Sequence, residues 1–219
     1  MVHKNQKSTT AKERMLKKIR QALLQKRDQP YATVEDQSLY PAYEDSLAVL
    51  FAQQLTQVKG QFVFCEDELQ LVEQLVLLAE QEKWNQIYVW EKPIQRVLDS
   101  VGFPYMGTDE GLEGAEVGIT GCEVLIARTG SVLVTNANAS GRRLSVYPPV
   151  HIVVARSSQL VLDLEEALKL VDSRYGTTTP SLISVITGPS RTADIEKTLV
   201  LGAHGPKSLY VFLIDDQIC

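Results

Sequence analysis

The spacing of apolar positions changes several times along this chain, and each change marks an element. Met15, Leu16, Ile19, Ala22 and Leu23 recur at helical spacing. They follow Thr10-Ala11-Lys12-Glu13, which has the spacing of a capping box, so a helix is predicted over residues 11–27. Asp28-Gln29-Pro30 stops it, and residues 29–42, with two prolines and no period, read as a linker. Leu47, Leu50, Phe51, Leu55 and Val58 mark a second helix that ends at Gly60. From Gln61 the rhythm becomes strand–helix–strand–helix: strand Gln61–Cys65, helix Glu68–Glu82, strand Ile87–Trp90, then a short helix Pro93–Val101 opened by proline. That order predicts parallel βαβ units.

The middle of the chain reads differently. Val117–Thr120, Val124–Ala127, Ser131–Thr135 and Ile152–Ala155 are short β-rich runs among glycines 118, 121, 130 and 141. They predict a strand-rich insertion with antiparallel or mixed pairing. The α/β rhythm then resumes with helix Val161–Val171, strand Leu182–Ile186, helix Ala193–Leu201 and strand Leu209–Ile214. Neither α/β block has enough strands to stand alone, so both are expected in one sheet. The predicted organisation is a basic helical arm with linker over residues 1–42 and an α/β domain over residues 43–219.

Charge divides the chain in the same way. The formal net charge is −5 over 219 residues. Residues 1–30 carry a net +7, so the remaining body carries −12. An acidic body argues against nucleic acid as a partner, because phosphate backbones need a basic face. No apolar run exceeds six residues, so no membrane span is expected, and no secretory signal follows the first basic residues. Cys65, Cys122 and Cys219 are odd in number and far apart. They point to a reducing, cytoplasmic setting and away from a zinc or iron–sulfur site held by this chain alone. Cys65 is expected as a buried core thiol.

Three segments carry candidate chemistry. Thr187-Gly-Pro-Ser-Arg-Thr-Ala-Asp-Ile-Glu196 follows an apolar strand and opens a predicted helix. Gly188 allows the turn, Ser190 or Thr192 can cap, and Arg191 with the first-turn N–H groups would hold a carboxylate or phosphate. Asp194 sits near the positive helix end. Gly202-Ala-His-Gly-Pro206 supplies His204, either a structural helix-end histidine or a proton carrier. The third segment runs from Gly121 to His151. Within it, Glu123 is a candidate acid or base, and Thr129, Gly130 and Ser131 form a turn. Arg142 and Arg143 are candidate anion clamps, and His151 lies at a strand entrance. Each of these residues also has a plain structural reading as turn, cap or surface chemistry. Dinucleotide, Walker, nucleophile-elbow and H-E-x-x-H motifs are absent, and three histidines without a cluster argue against a metal site.

The Thr187–Glu196 and Gly202–Pro206 motifs, with Gly121-Cys-Glu123, the Thr129-Gly130 turn and Pro148-Pro-Val-His151, resemble the LUD domain (DUF162) family. Its small stand-alone members are of the lactate-utilization protein C (LutC/YkgG) type, and the resemblance covers roughly residues 60–215. It implies the three-layer α/β/α fold of glucosamine-6-phosphate deaminases, ribose-5-phosphate isomerases and CoA-transferases (NagB/RpiA/CoA-transferase-like). It also implies a part in oxidising L-lactate to pyruvate beside iron–sulfur partner subunits. The clusters are then expected only in those partners, with no cofactor bound by this chain. One departure stands out: Arg128-Thr-Gly-Ser131 replaces a Glu-Thr-Gly-Thr turn common in relatives, which inverts the local charge.

Three functions follow as alternatives. The chain is a non-cluster subunit that offers an anion-binding pocket or docking surface. Or it is a free-standing isomerase- or transferase-like enzyme on a small phosphorylated or carboxylated substrate, with Glu123 and His204 as acid and base. Or it is a non-catalytic metabolite-binding protein. The sequence leaves homo-oligomerisation open.

Overall fold

A computed structural model describes residues 10–24, 46–192 and 200–216. The chain divides into two units, Met1–Tyr43 and Glu44–Cys219. In the first, helix α1 spans Ala11–Leu24 and leaves every described side chain exposed. Its capping box forms: the Thr10 amide donates to Glu13 Oε2 at 2.8 Å and the Glu13 amide donates to Thr10 Oγ1 at 3.3 Å.

The second unit is built on a five-stranded, wholly parallel sheet. In chain order its elements are α2 (Leu47–Gln57), β1 (Gln61–Cys65), α3 (Glu68–Glu82), β2 (Ile87–Val89), α4 (Lys92–Asp99), β3 (Val117–Thr120), β4 (Val124–Ile126), β5 (Ser131–Thr135), β6 (Val150–Arg156), β7 (Leu160–Val161), α5 (Leu164–Tyr175), β8 (Ile183–Ile186), β9 (Arg191–Thr192), β10 (Val200–Leu201) and β11 (Ser208–Ile214). The parallel sheet runs β1-β11-β6-β3-β2, and a small mixed sheet runs β7-β4-β5-β8. Local chemistry sets the helix starts. The Ser46 and Asp67 side chains accept from the amides of Val49 and Gln70, and Pro93 sits in the first turn of α4.

Alternation along β11 shows how the layers form. Tyr210, Phe212 and Ile214 face Leu71, Val72 and Leu75 of α3 and Ile94 and Leu98 of α4. Leu209, Val211 and Leu213 face Leu50, Phe51 and Leu55 of α2 together with Leu125, Val132 and Val134 of the small sheet. The far side of the small sheet packs Val124, Ile126 and Leu133 against Ala167 and Val171 of α5. The mixed α/β fold with a mostly parallel central sheet, expected from the sequence, is thus what the chain adopts.

Three details differ from the sequence expectation. First, β3 and β6 belong to the parallel sheet and not to an insertion. All four residues of β3 and four of the seven of β6 are buried, as suits strands covered on both faces. Second, β8 lies at the edge of the small sheet, paired antiparallel with β5, so the second α/β block does not place all its strands in one sheet. Its half-buried side chains suit an edge. Third, Val200 and Leu201, expected at the end of a helix over Ala193–Leu201, form a strand paired with Thr192 and Arg191. β-branched Thr192 favours that extended pairing. The rest of that expected helix, with Asp194, lies outside the described residues, as does Cys219.

Candidate functional site

In a parallel α/β sheet, ligands collect where the strands' carboxyl ends leave a crevice. Here that edge holds a cavity of about 340 Å³. The chain leaving β2 brings Glu91, the chain leaving β3 brings Gly121, Cys122 and Glu123, and β6 with the turn after it brings Arg156 and Gln159. Arg174 and Tyr175, the last two residues of α5, close it.

Glu123 is 2% exposed yet fully partnered. Thr135 Oγ1 donates to its Oε1 at 2.8 Å, the Tyr175 hydroxyl donates to the same oxygen at 2.6 Å, and the Arg174 guanidinium pairs with Oε2. A buried carboxylate needs such a set, because desolvation of an unpartnered charge is costly. Burial, and then the bond to Glu123, pushes the Tyr175 hydroxyl above its ordinary range and keeps it a donor. Gln159 Nε2 donates to the Cys122 carbonyl at 2.6 Å.

Glu91 sits beside this network. It accepts from the Gly121 amide at 3.1 Å and from Ser140 Oγ at 2.6 Å. Burial raises its pKa most, the two hydrogen bonds pull it back, and the Glu123 charge adds to the rise. Gly121 is fixed by this approach: a Cβ there would lie 2.7 Å from Glu91 Oε2. Two carboxyl groups in unlike environments therefore share one crevice, an arrangement suited to proton transfer beside a bound anion. Burial also raises both described thiols, Cys65 to about 11 and Cys122 further, so neither is an activated nucleophile.

The other residues singled out by sequence lie elsewhere. A second cavity, of about 410 Å³, opens at the amino ends of β6 and β11. Gly188, Ser190, Arg191, Arg142, His151 and His204 all line it. The two C-terminal motifs meet there: the Ser190 amide donates to the Pro206 carbonyl at 2.9 Å, and the Gly202 amide donates to the Ser190 carbonyl at 3.0 Å. Arg191 donates to the Val58 carbonyl at 2.5 Å, at the C-terminal end of α2. Glu123 and His204 line different cavities with no shared residue, so they do not form an acid–base pair.

Thr129, Gly130 and Ser131 lie beneath α2 and line neither of these cavities. Ser131 Oγ lies 2.7 Å from Thr129 Oγ1 and 2.8 Å from Thr187 Oγ1. Arg143 pairs with Asp109 at 2.9 Å and stacks 5.0 Å above Trp90. Thr192 is held in the β9–β10 ladder. Arg128, the charge-inverting residue, grips Asp163 at the start of α5 through Nε and Nη2, at 2.5 and 3.1 Å.

Sequence reasoning missed Glu91, Arg174, Tyr175, Gln159 and Arg156. Glu91 carried a usable signal, since it directly follows the Ile87–Trp90 strand at its carboxyl end. The others reach the crevice only through the packing of α5 and the β6–β7 turn. A larger groove of about 800 Å³ runs along α3 past Val72, Val76, Trp84 and Phe103. Its charged residues Glu73, Glu80 and Lys83 are exposed and do not converge.

Comparison with known proteins agrees with the α/β fold. Residues 48–214 match the LUD domain family model. The chain is 39% identical over 107 residues to lactate utilization protein C of Bacillus subtilis, covering 48% of this chain and 45% of that one. It is 36% identical over 107 residues to lactate utilization protein C 1 of Bacillus mycoides, covering 48% and 46%. With lactate utilization protein C of Bacillus velezensis it shares 34% over 140 residues, covering 62% and 55%. The matched stretches thus span about half the length of these curated relatives. The crystal structure of a DUF162 family protein from Deinococcus radiodurans superposes with a TM-score of 0.59 at 21% identity, over 80% of this chain and 99% of that one. The family match covers most of the chain and the whole of the parallel sheet from β1 to β11, and the chain belongs to the LUD domain family.

Proposed function

We propose that this protein acts in lactate utilization, as the non-cluster subunit of an assembly that oxidises L-lactate to pyruvate. The relatives' names support the pathway. The observation that carries a role for this chain is the crevice in which buried Glu123, held by Arg174, Tyr175 and Thr135, lies beside Glu91. Arg174 is half exposed, and its remaining N–H groups would hold a small carboxylate or phosphate. Oxidation of lactate releases two electrons and two protons. In this reading the electrons pass to iron–sulfur clusters of partner subunits, and Glu91, with its raised proton affinity, sits where a proton can be taken up. Among the described residues no group of three or more His, Cys, Asp or Glu is placed to hold a metal ion. Among them, too, no helix is long and apolar enough to cross a membrane.

Gentle affinity purification of the full chain from its native cells grown on L-lactate tests the reading. Iron–sulfur partners whose visible bands bleach on adding L-lactate are expected. A colourless, solitary protein together with normal growth of a deletion strain on L-lactate would refute it. The Glu91–Glu123 pair also favours a second reading, a free-standing enzyme on a small phosphorylated or carboxylated substrate. That reading requires turnover by the pure chain.

A further inference from the structure

Helix α1 presents an apolar face that its own fold does not use. Side chains three and four residues apart share a helix face, so Met15, Leu16, Ile19, Ala22 and Leu23 form one apolar stripe. A stripe of that kind ordinarily faces a core, yet Met15 is 64% exposed and Leu23 78%. Around the helix, Lys18 borders the stripe on one side and Arg20 on the other. With Lys12, Arg14 and Lys17 the helix carries five cations against Glu13 alone. Among the described residues none of the five is ion-paired.

The groove of about 800 Å³ along α3 has the opposite chemistry. Val72, Val76, Trp84 and Phe103 line it, and Leu69 and Leu77 stand on its α3 side, 60% and 58% exposed. Apolar surface exposed in one contiguous groove marks an interaction site. α3 carries Glu68, Glu73, Glu80 and Glu82 and no Lys or Arg. Glu73 and Glu80, two turns apart, line the groove, and among the described residues neither is ion-paired. Lys83, just past α3, is the single cation in the lining. The two helices also match in length: 14 residues make α1 about 21 Å long, and 15 make α3 about 22 Å.

We propose that α1 of one copy of this chain docks in the α3 groove of a second copy, and that the two copies exchange helices to form a closed dimer. The apolar stripe meets the groove's apolar lining, as an amphipathic helix does in a helix-in-groove complex. The basic residues beside the stripe then lie against Glu73 and Glu80, a charge match that fixes orientation as well as attraction. Reciprocal exchange makes the contact twice, which closes the assembly and leaves no arm or groove over for a third copy. The inference is independent of the role proposed for the Glu91–Glu123 crevice.

Sedimentation equilibrium on the full chain tests it, and a dimer with a micromolar dissociation constant is expected. Leu16→Glu with Ile19→Glu alters the arm, and Leu77→Lys with Glu80→Lys alters the groove. All four side chains are exposed, so both variants fold, and each weakens the dimer about tenfold or more. Exchange also predicts the behaviour of a mixture. The two variants together hold one intact arm and one intact groove that fit each other, so they form a heterodimer tighter than either variant's self-association. Zero-length carbodiimide cross-linking of ¹⁵N-labelled with unlabelled wild-type chain joins Lys17 or Lys18 to Glu73 or Glu80 in labelled–unlabelled pairs. A chain still monomeric at about 100 μM overturns the proposal, whether or not its arm binds vesicles of phosphatidylcholine and phosphatidylserine. So does a dimer that the arm variant leaves intact, a variant mixture without the heterodimer, or cross-links confined to single chains.

Discussion

Replacing Glu123 probes the crevice most sharply, because its two oxygens do different work. Oε1 accepts from Thr135 and Tyr175, and Oε2 pairs with Arg174. Glu123→Gln keeps an oxygen for the two hydroxyls but turns an NH₂ group toward the guanidinium. The charge-assisted bond is lost, typically about 1.5–3 kcal/mol. Arg174 is 51% exposed, so water compensates part of this and about 1–2 kcal/mol is expected. Glu123→Ala also strips the hydroxyl of Thr135, itself 2% exposed, of its acceptor and opens a void, for a total of about 3–5 kcal/mol. Urea unfolding at neutral pH, followed by tryptophan fluorescence, measures both. The order Ala well above Gln, with a gap of about 2 kcal/mol, follows from the geometry. An Ala variant as stable as the wild type, or less damaging than Gln, would refute the partnered network.

Other outcomes follow from the same structure. His151 is held neutral by burial, with a folded pKa of about 4 against an unfolded value of 6.5. Its contribution is complete above pH 6.5 and is lost as pH falls through 4, by about 3 kcal/mol in all; denaturant titrations across that window should show a slope missing from His151→Gln. Glu91 has the opposite sign. Its raised folded pKa stabilises the fold below its ordinary value of 4.5, and this is lost as pH rises through the raised value, so Glu91→Gln should flatten that rise-dependent loss in the same titrations. Gly130→Ala places a Cβ 2.2 Å from the Leu55 amide nitrogen at φ +60°, and a loss of about 2–5 kcal/mol is expected by thermal or urea unfolding. Gly102→Ala, at φ +68° in open space, should cost only about 1 kcal/mol in the same assay.

The sequence pattern reported what alternation and capping control. Gln61–Cys65, Glu68–Glu82, Val117–Thr120 and Ser131–Thr135 are read from spacing at the bounds the structure shows. Sheet membership was less legible. A short, wholly buried strand such as β3 looks the same whether its partners are parallel or antiparallel, and only the crossover through α4 settles it. The candidate site divided for a related reason. Glu123 and Arg191 line cavities at opposite ends of the parallel strands, and nothing local in either segment records which end it will face. Arg174 and Tyr175 end an ordinary amphipathic helix, and they become part of the crevice because α5 packs Ala167 and Val171 on the small sheet. Arg128 was legible as an inverted charge but not as a structural one, because its partner Asp163 lies 35 residues away.

Growth on L-lactate measures the central claim most directly. A strain of the source organism lacking this chain should fail to grow with L-lactate as sole carbon source, and the wild-type chain should restore growth. Glu123→Gln, expressed and folded at wild-type level, should not. Normal growth of the deletion strain, or full rescue by Glu123→Gln, would contradict the account.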